Sequence, residues 1–234
     1  PHHRSSAASD VYKRQITDNG YGAFFKQSSG SITNSVIDIN CAAVNTNGFK
    51  QTGSIKHTLV IDDNTLTTAE GAGITAYDQA RISASRNTIS GAEQGSGIAI
   101  RSSTADLYYN NIGPIGGFNG LWIYGTSEVT AIGNNITNTG KEAVVHGEYH
   151  YRDSGWPSIA PSESRLYMEN NMIDNNSGTC NSEKMYGGDF QCPAIHIFRA
   201  SATLYNNVVK NNIGDALRIK GGSVNVQYND LQAE

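Results

Sequence analysis

The chain has 234 residues, a formal net charge of −4 and only 16% charged residues, against roughly 25% in an average soluble protein. Gly, Asn, Ser and Thr fill the difference, which favours turns and β-structure over helices. No Lys/Arg run is present, which argues against a nucleic-acid partner, and no apolar stretch approaches the roughly 20 residues of a transmembrane span.

From the N-terminus, Pro1 to Gln15 fit no later pattern. The run SSAASDVYKRQ resembles linker-derived sequence, so residues 1–15 are set apart as non-native and the folded domain is expected over 16–234. His2 and His3 are not read as ligands. From there a repeat runs through the chain. Its anchor is an Asn followed two residues later by an aliphatic residue, at Asn64, Asn87, Asn110, Asn134, Asn171, Asn207 and Asn229, with Ser35 standing in at the first coil. The regular spacing is about 23 residues, and two intervals, 134–171 and 171–207, are longer. Positions five before, three before and two after these seven Asn residues are apolar in every case, in a chain that is 38% apolar. The first coil conforms less well, with Gly30, Ile32 and Ile37.

A second apolar couplet precedes most anchors: Ile74/Ala76, Ile98/Ile100, Leu121/Ile123, Ile195/Ile197 and Leu217/Ile219. Each coil therefore holds two or three short runs of period two, the alternation of strands. No segment sustains a helical period. A leucine-rich repeat would want another Leu eight residues before the Asn, where this chain has Gln79, Ser102, Thr126, Glu163, Arg199 and Gly221.

Over residues 16–234 the pattern resembles the right-handed parallel β-helix family, which includes pectate lyase-like and polygalacturonase-like proteins. The resemblance implies an all-β, single-stranded solenoid of about eight coils with a stacked, structural Asn column. Such a column passes amide hydrogen bonds from coil to coil, and Asn tolerates the left-handed conformation a sharp corner needs. Both ends fall within coils and no cap is visible, so a longer chain is expected.

Residues between inward neighbours on a strand point outward. On the first strand of each coil these are Lys50, Thr75, Ala99, Trp122, Val145, His196 and Arg218, then Tyr77, Arg101, Tyr124, Gly147, Phe198 and Lys220. Trp122, Tyr124, Phe198 and Arg101, with Trp156 from a neighbouring loop, are expected to bind ligand: aromatic faces stack on sugar rings and cations hold acidic groups. Insertions near 147–163 and 174–193 are expected to wall this face. A lyase acting on an acidic polysaccharide would draw its base and cations from His146, His196, Tyr124, Arg218 and Lys220. His146 also falls at an inward slot, which reads as a buried structural histidine. Glu148, His150 and Asp153 with His146 are candidate metal ligands, though their spacing matches no zinc signature.

A glycosidase needs two carboxylates, and the outward columns hold none. Arg218-Ile219-Lys220 resembles a polygalacturonase motif, but that family's remaining motifs are missing. Cys180 and Cys192 bracket the second insertion and are expected to form a disulfide, in keeping with an extracellular or cell-surface setting. Metal binding by this pair is the alternative, and Cys41 is left over. Two readings follow. One is a non-catalytic surface module that binds polysaccharide or cell-surface glycans, with no cofactor. The other is a polysaccharide lyase, where calcium would enter as a cofactor.

Overall fold

A computed structural model describes residues 9–12, 14–17, 21–48, 58–147, 164–176, 179–182 and 188–233. Its strands form a parallel β-helix, and the only antiparallel pair among the described residues is the hairpin of Thr179–Ser182 with Gly188–Gln191. Each coil lays one strand on each of three faces. The first face stacks Tyr21–Lys26, Ala42–Asn47, Ile74–Tyr77, Ile98–Arg101, Leu121–Tyr124 and Val144–Gly147. The second stacks Ser9–Tyr12, Gly30–Thr33, Thr58–Asp62, Arg81–Ser85, Thr104–Tyr108, Glu128–Ile132 and Arg165–Glu169. Two long strands, Ile195–Tyr205 and Leu217–Gln227, turn the corner without a break and belong to both faces. The third face is a separate nine-stranded sheet running from Gln15–Thr17 to Asp230–Ala233. The described strands make up eight coils, as the repeat predicts. Strands Ser9–Tyr12 and Gln15–Thr17 stack beneath the first coil, so the pairing starts ahead of the boundary at residue 16 expected from the sequence.

The inward columns are the core. Ile61, Ile82, Ile89, Leu107, Ile136 and Ile173 are among the buried aliphatic side chains that fill the axis. Burying each contributes roughly 1.5–3 kcal/mol. Coil-to-coil register is in step across these columns, for example Ile82 with Leu59 on one side and Ala105 on the other.

The Asn column forms the expected ladder at the corner between the second and third faces. Asn87 Nδ2 donates to Asn110 Oδ1 at 2.9 Å and to the Ile61 carbonyl at 2.8 Å. Asn110 repeats the pattern with Asn134 and the Ala84 carbonyl, and the chain of bonds continues through Asn171 and Asn207 to Asn229. Each Oδ1 also accepts the backbone N–H of the preceding anchor. The buried amide thereby uses both donors and both acceptor lone pairs, which removes the cost of burying it. Ser35 starts the ladder, donating its N–H to Asn64 Oδ1.

Two sequence expectations change here. The left-handed residue at this corner is not the ladder Asn but the residue before it: Asp63, Arg86, Tyr109, Asn170, Asn206 and Tyr228 have φ between 53° and 56°. Gly133 takes the same place with φ 67°. This conformation turns the next side chain inward, where its amide meets the ladder. The other change concerns Lys50, which lies outside the described residues. Its place in the outward column belongs to Asn45, which pairs with Thr75. The extra residues of that coil follow the first-face strand rather than precede it.

A second, shorter ladder went unread in the sequence. Asn176 accepts the Thr139 N–H at 2.9 Å and donates to Asn212 Oδ1 at 2.8 Å. It lies five residues beyond the main anchors and closes the corner between the third and first faces. The earlier coils fill the same slot with Ala92 and Ile115, both buried.

Replacing Asn110 by Ala strands the Ala84 carbonyl and the Asn87 amide and N–H inside the coil. The expected loss is about 3–5 kcal/mol, read as a lower urea midpoint by circular dichroism. Asn135→Ala, which removes a solvent-exposed bond to Asn111, should change stability by under about 0.5 kcal/mol.

Candidate functional site

The first face carries the residues singled out in the sequence. Its two outward columns behave differently. In the first, Thr75, Ala99, Val145 and His196 are buried despite pointing away from the core, while Trp122 and Arg218 are half-buried. In the second, Tyr77, Arg101, Tyr124 and Phe198 are half-buried and Lys220 is exposed.

Tyr77, Arg101, Tyr124 and Trp122 form one contact cluster drawn from three successive coils. The Trp122 and Tyr124 rings stack with centroids 4.4 Å apart. Arg101 lies over the Tyr77 ring at 4.7 Å, a cation–π distance. Its guanidinium also pairs with Asp78 at 2.9 Å. Burial pushes the Tyr124 phenol well above its ordinary range, with Tyr77 adding to the rise and Arg101 opposing it. Burial raises the Tyr77 phenol too. Both are neutral hydrogen-bonding groups at neutral pH, and Tyr124 is a poor base there. The Trp122 indole N–H is buried with no hydrogen-bond partner among the described residues.

Further along the face, Lys220 and Arg199 lie over the Phe198 ring at 5.6 and 5.3 Å. Arg218 Nε donates to Asp215 at 2.7 Å. Gly147 separates the Tyr124 cluster from Phe198. Its φ is +127°, and a Cβ there would lie 1.7 Å from the Phe198 carbonyl oxygen. The gap in the aromatic column is thus built into the backbone.

The proposed catalytic set does not converge. His146 lies inside the coil with no exposed surface, between the registers of Ile123 and Ile197. Its Nε2–H donates to the Ser201 carbonyl at 3.1 Å. Burial lowers its pKa to about 4. The inward slot therefore gives the structural histidine, and His146 reaches no ligand on the face. His196 points outward but is only 1% exposed, with Nδ1 3.5 Å from Glu142 Oε1. Glu142, itself buried, accepts from Asn119 Nδ2 at 2.9 Å. Tyr124 and Lys220 are three coils apart, about 14 Å at the usual strand spacing.

Sequence reasoning missed Asn119, Glu142, Asp78 and Asp215. Among the described residues the first-face outward columns lack carboxylates, but Glu142, Asp78 and Asp215, like Asn119, sit one or two residues outside the strands, where period-two counting stops. Glu148, His150, Asp153 and Trp156 lie outside the described residues, as does the side chain of Cys180. Cys192 is buried and Cys41 is free. No cluster of three potential metal ligands occurs among the described residues, and no helix there is long and apolar enough to cross a membrane. No protein-family model and no curated protein matches the chain.

The depressed pKa of His146 has a consequence for stability. Unfolded histidine titrates near 6.5 and the folded group near 4, so between these values the unfolded state binds the extra proton. Stability present above about pH 6.5 should fall by about 3 kcal/mol as the pH drops to about 4. Urea midpoints measured from pH 7 to 4 should decline less steeply in His146→Met than in the unchanged chain.

Proposed function

We propose that this chain is an extracellular or cell-surface module that binds acidic polysaccharide or surface glycans on the first face of the solenoid. The observation that carries the reading is the fixed cluster of Tyr77, Arg101, Trp122 and Tyr124. Half-buried rings give sugar faces an apolar partner, and the Arg101 guanidinium puts a cation in the same patch, the charge that suits a uronate or sulfate. The likeness of the repeat to pectate lyase-like proteins agrees with a polysaccharide ligand. Fold likeness alone says little about chemistry. Binding is preferred to lyase action because the candidate base His146 is interior, His196 is buried and the Tyr124 phenol is held protonated.

A disulfide between Cys180 and Cys192 belongs to the same proposal. Cys180 lies on the first strand of the hairpin and Cys192 follows the end of the second, so the pair would close the hairpin at its base. In the chain the hairpin falls between the third-face strand Met172–Asp174 and the first-face strand Ile195–Tyr205.

Affinity electrophoresis through gels containing polygalacturonate, alginate or a sulfated glycan tests the reading. Retardation by at least one of these is expected, weakened about 3- to 10-fold by Trp122→Ala or Arg101→Ala. Equal mobility of the unchanged chain with and without every acidic glycan would sink it. New absorbance from unsaturated sugar ends would instead restore the lyase.

A further inference from the structure

We propose that the second face carries a separate binding groove for a neutral, extended glycan, running along the solenoid axis and centred on Tyr167. A groove of about 340 Å³ opens on this face, across four coils. Its middle row is Thr130, Tyr167, Thr203 and Asn225, whose registers are contiguous. Glu128 and Arg165 flank it. Where one coil carries Arg165 and Tyr167, the next two carry small residues, Ser201 and Thr203 then Ser223 and Asn225. That drop in size makes the depression.

Several features suit a sugar chain. The Tyr167 side chain is 37% exposed, whereas the aromatics of the first-face cluster are less open. Its hydroxyl donates to Glu169 at 2.8 Å, which fixes the ring and lowers the entropic cost of stacking a ligand on it. Tyr205 and Tyr228 form a second exposed pair on the same side, edge to face at 5.4 Å. The hydroxyls of Thr130 and Thr203 make no hydrogen bond to other described side chains and face solvent beside the ring. Charges on this face are mixed and close together: Glu128 stands in register with Arg165, and Arg81 pairs with Asp106. An acidic chain finds no excess of cations here, so the groove favours uncharged hydroxylated ligands.

Direction follows from spacing. Rows repeat every 4.8 Å or so along the axis, close to the length of one pyranose in an extended chain. Four coils then offer three intervals, about 14 Å, enough for three to four sugars. Ligands across the strands would meet the corner residues instead.

The test compares neutral glycans (soluble xylan, mixed-linkage β-glucan, glucomannan) in affinity gels, followed by calorimetry with oligomers of whichever binds. Retardation by at least one is expected, with affinity rising up to about four sugars and then levelling. Tyr167→Ala should weaken it about 3- to 10-fold, and Thr203→Arg, which fills the groove, should abolish it. Both variants should keep unaltered circular dichroism and first-face behaviour. The proposal is overturned if no neutral glycan retards the chain, if Tyr167→Ala and Thr203→Arg bind as the parent does, or if Trp122→Ala alone removes the binding. Because the acidic-glycan test reads Trp122 and Arg101, the two proposals fail separately.

Discussion

The structure depends on a ladder of stacked amides, one at the second-to-third corner of each coil from Asn64 to Asn229. A chain that turns from the second face to the third must bring a polar corner into an apolar interior. An isolated buried amide there would cost several kcal/mol. Stacking removes the cost, because each Asn finds its two acceptors and two donors in the coils above and below. The solution works only when the coils are in register. It therefore locks the inward columns of Ile, Leu, Val and Ala over one another, and with them the outward rows. The residue just before each Asn accepts a left-handed backbone as part of this bargain. Even Arg86, Tyr109 and Tyr228 adopt it, at a cost of order 1 kcal/mol each that the ladder outweighs. Only the second-to-third corner carries an amide ladder from Ser35 to Asn229, and chain length varies at the other two. The long insertions accordingly fall after Gly147, at the first-to-second corner, and around the Thr179–Gln191 hairpin, at the third-to-first corner.

What the sequence revealed and what it hid follow from the same physics. Inward positions must be apolar whatever surrounds the coil, so the three columns around each Asn were legible as a pattern, and so was the number of coils. Away from the Asn corner, the turns obey no such rule. The Thr139–Asn176–Asn212 ladder replaces an apolar column by a polar one partway along the stack, and periodicity has no means to announce that switch. The Lys50 assignment failed for a related reason. Counting back from Asn64 assumes a coil without extra residues, and the extra ones lay between the strands. Burial on the outward side is also nonlocal. Thr75, Val145 and His196 alternate as surface residues should, yet they are covered. Acids such as Glu142 and Asp78 fell outside the strands and so outside the columns that were searched.

The two faces proposed to bind differ in construction. On the first, guanidinium groups are tied to carboxylates, Arg101 to Asp78 and Arg218 to Asp215, and rings pack on one another. Little of that surface rearranges without breaking an ion pair or a stack. On the second, small hydroxyl residues leave room beside an open ring. In both cases the scaffold supplies rows at a fixed interval rather than a closed pocket. Such rows suit ligands that are themselves repetitive and extended.

His146 and His196 show how fine the control is. They stand on adjacent coils, displaced by one residue: His146 is in register with Ile197, and Val145 with His196. That single step along a strand of period two places one imidazole in the core and the other on the outward side. The inner ring is held neutral by desolvation and bonded to the Ser201 carbonyl. The outer one meets the carboxylate of Glu142. Identical side chains, adjacent in the stack, thus have different chemistry because the pleat assigns them to opposite sides. Parity within the strand, more than residue type, therefore decides what each histidine can reach.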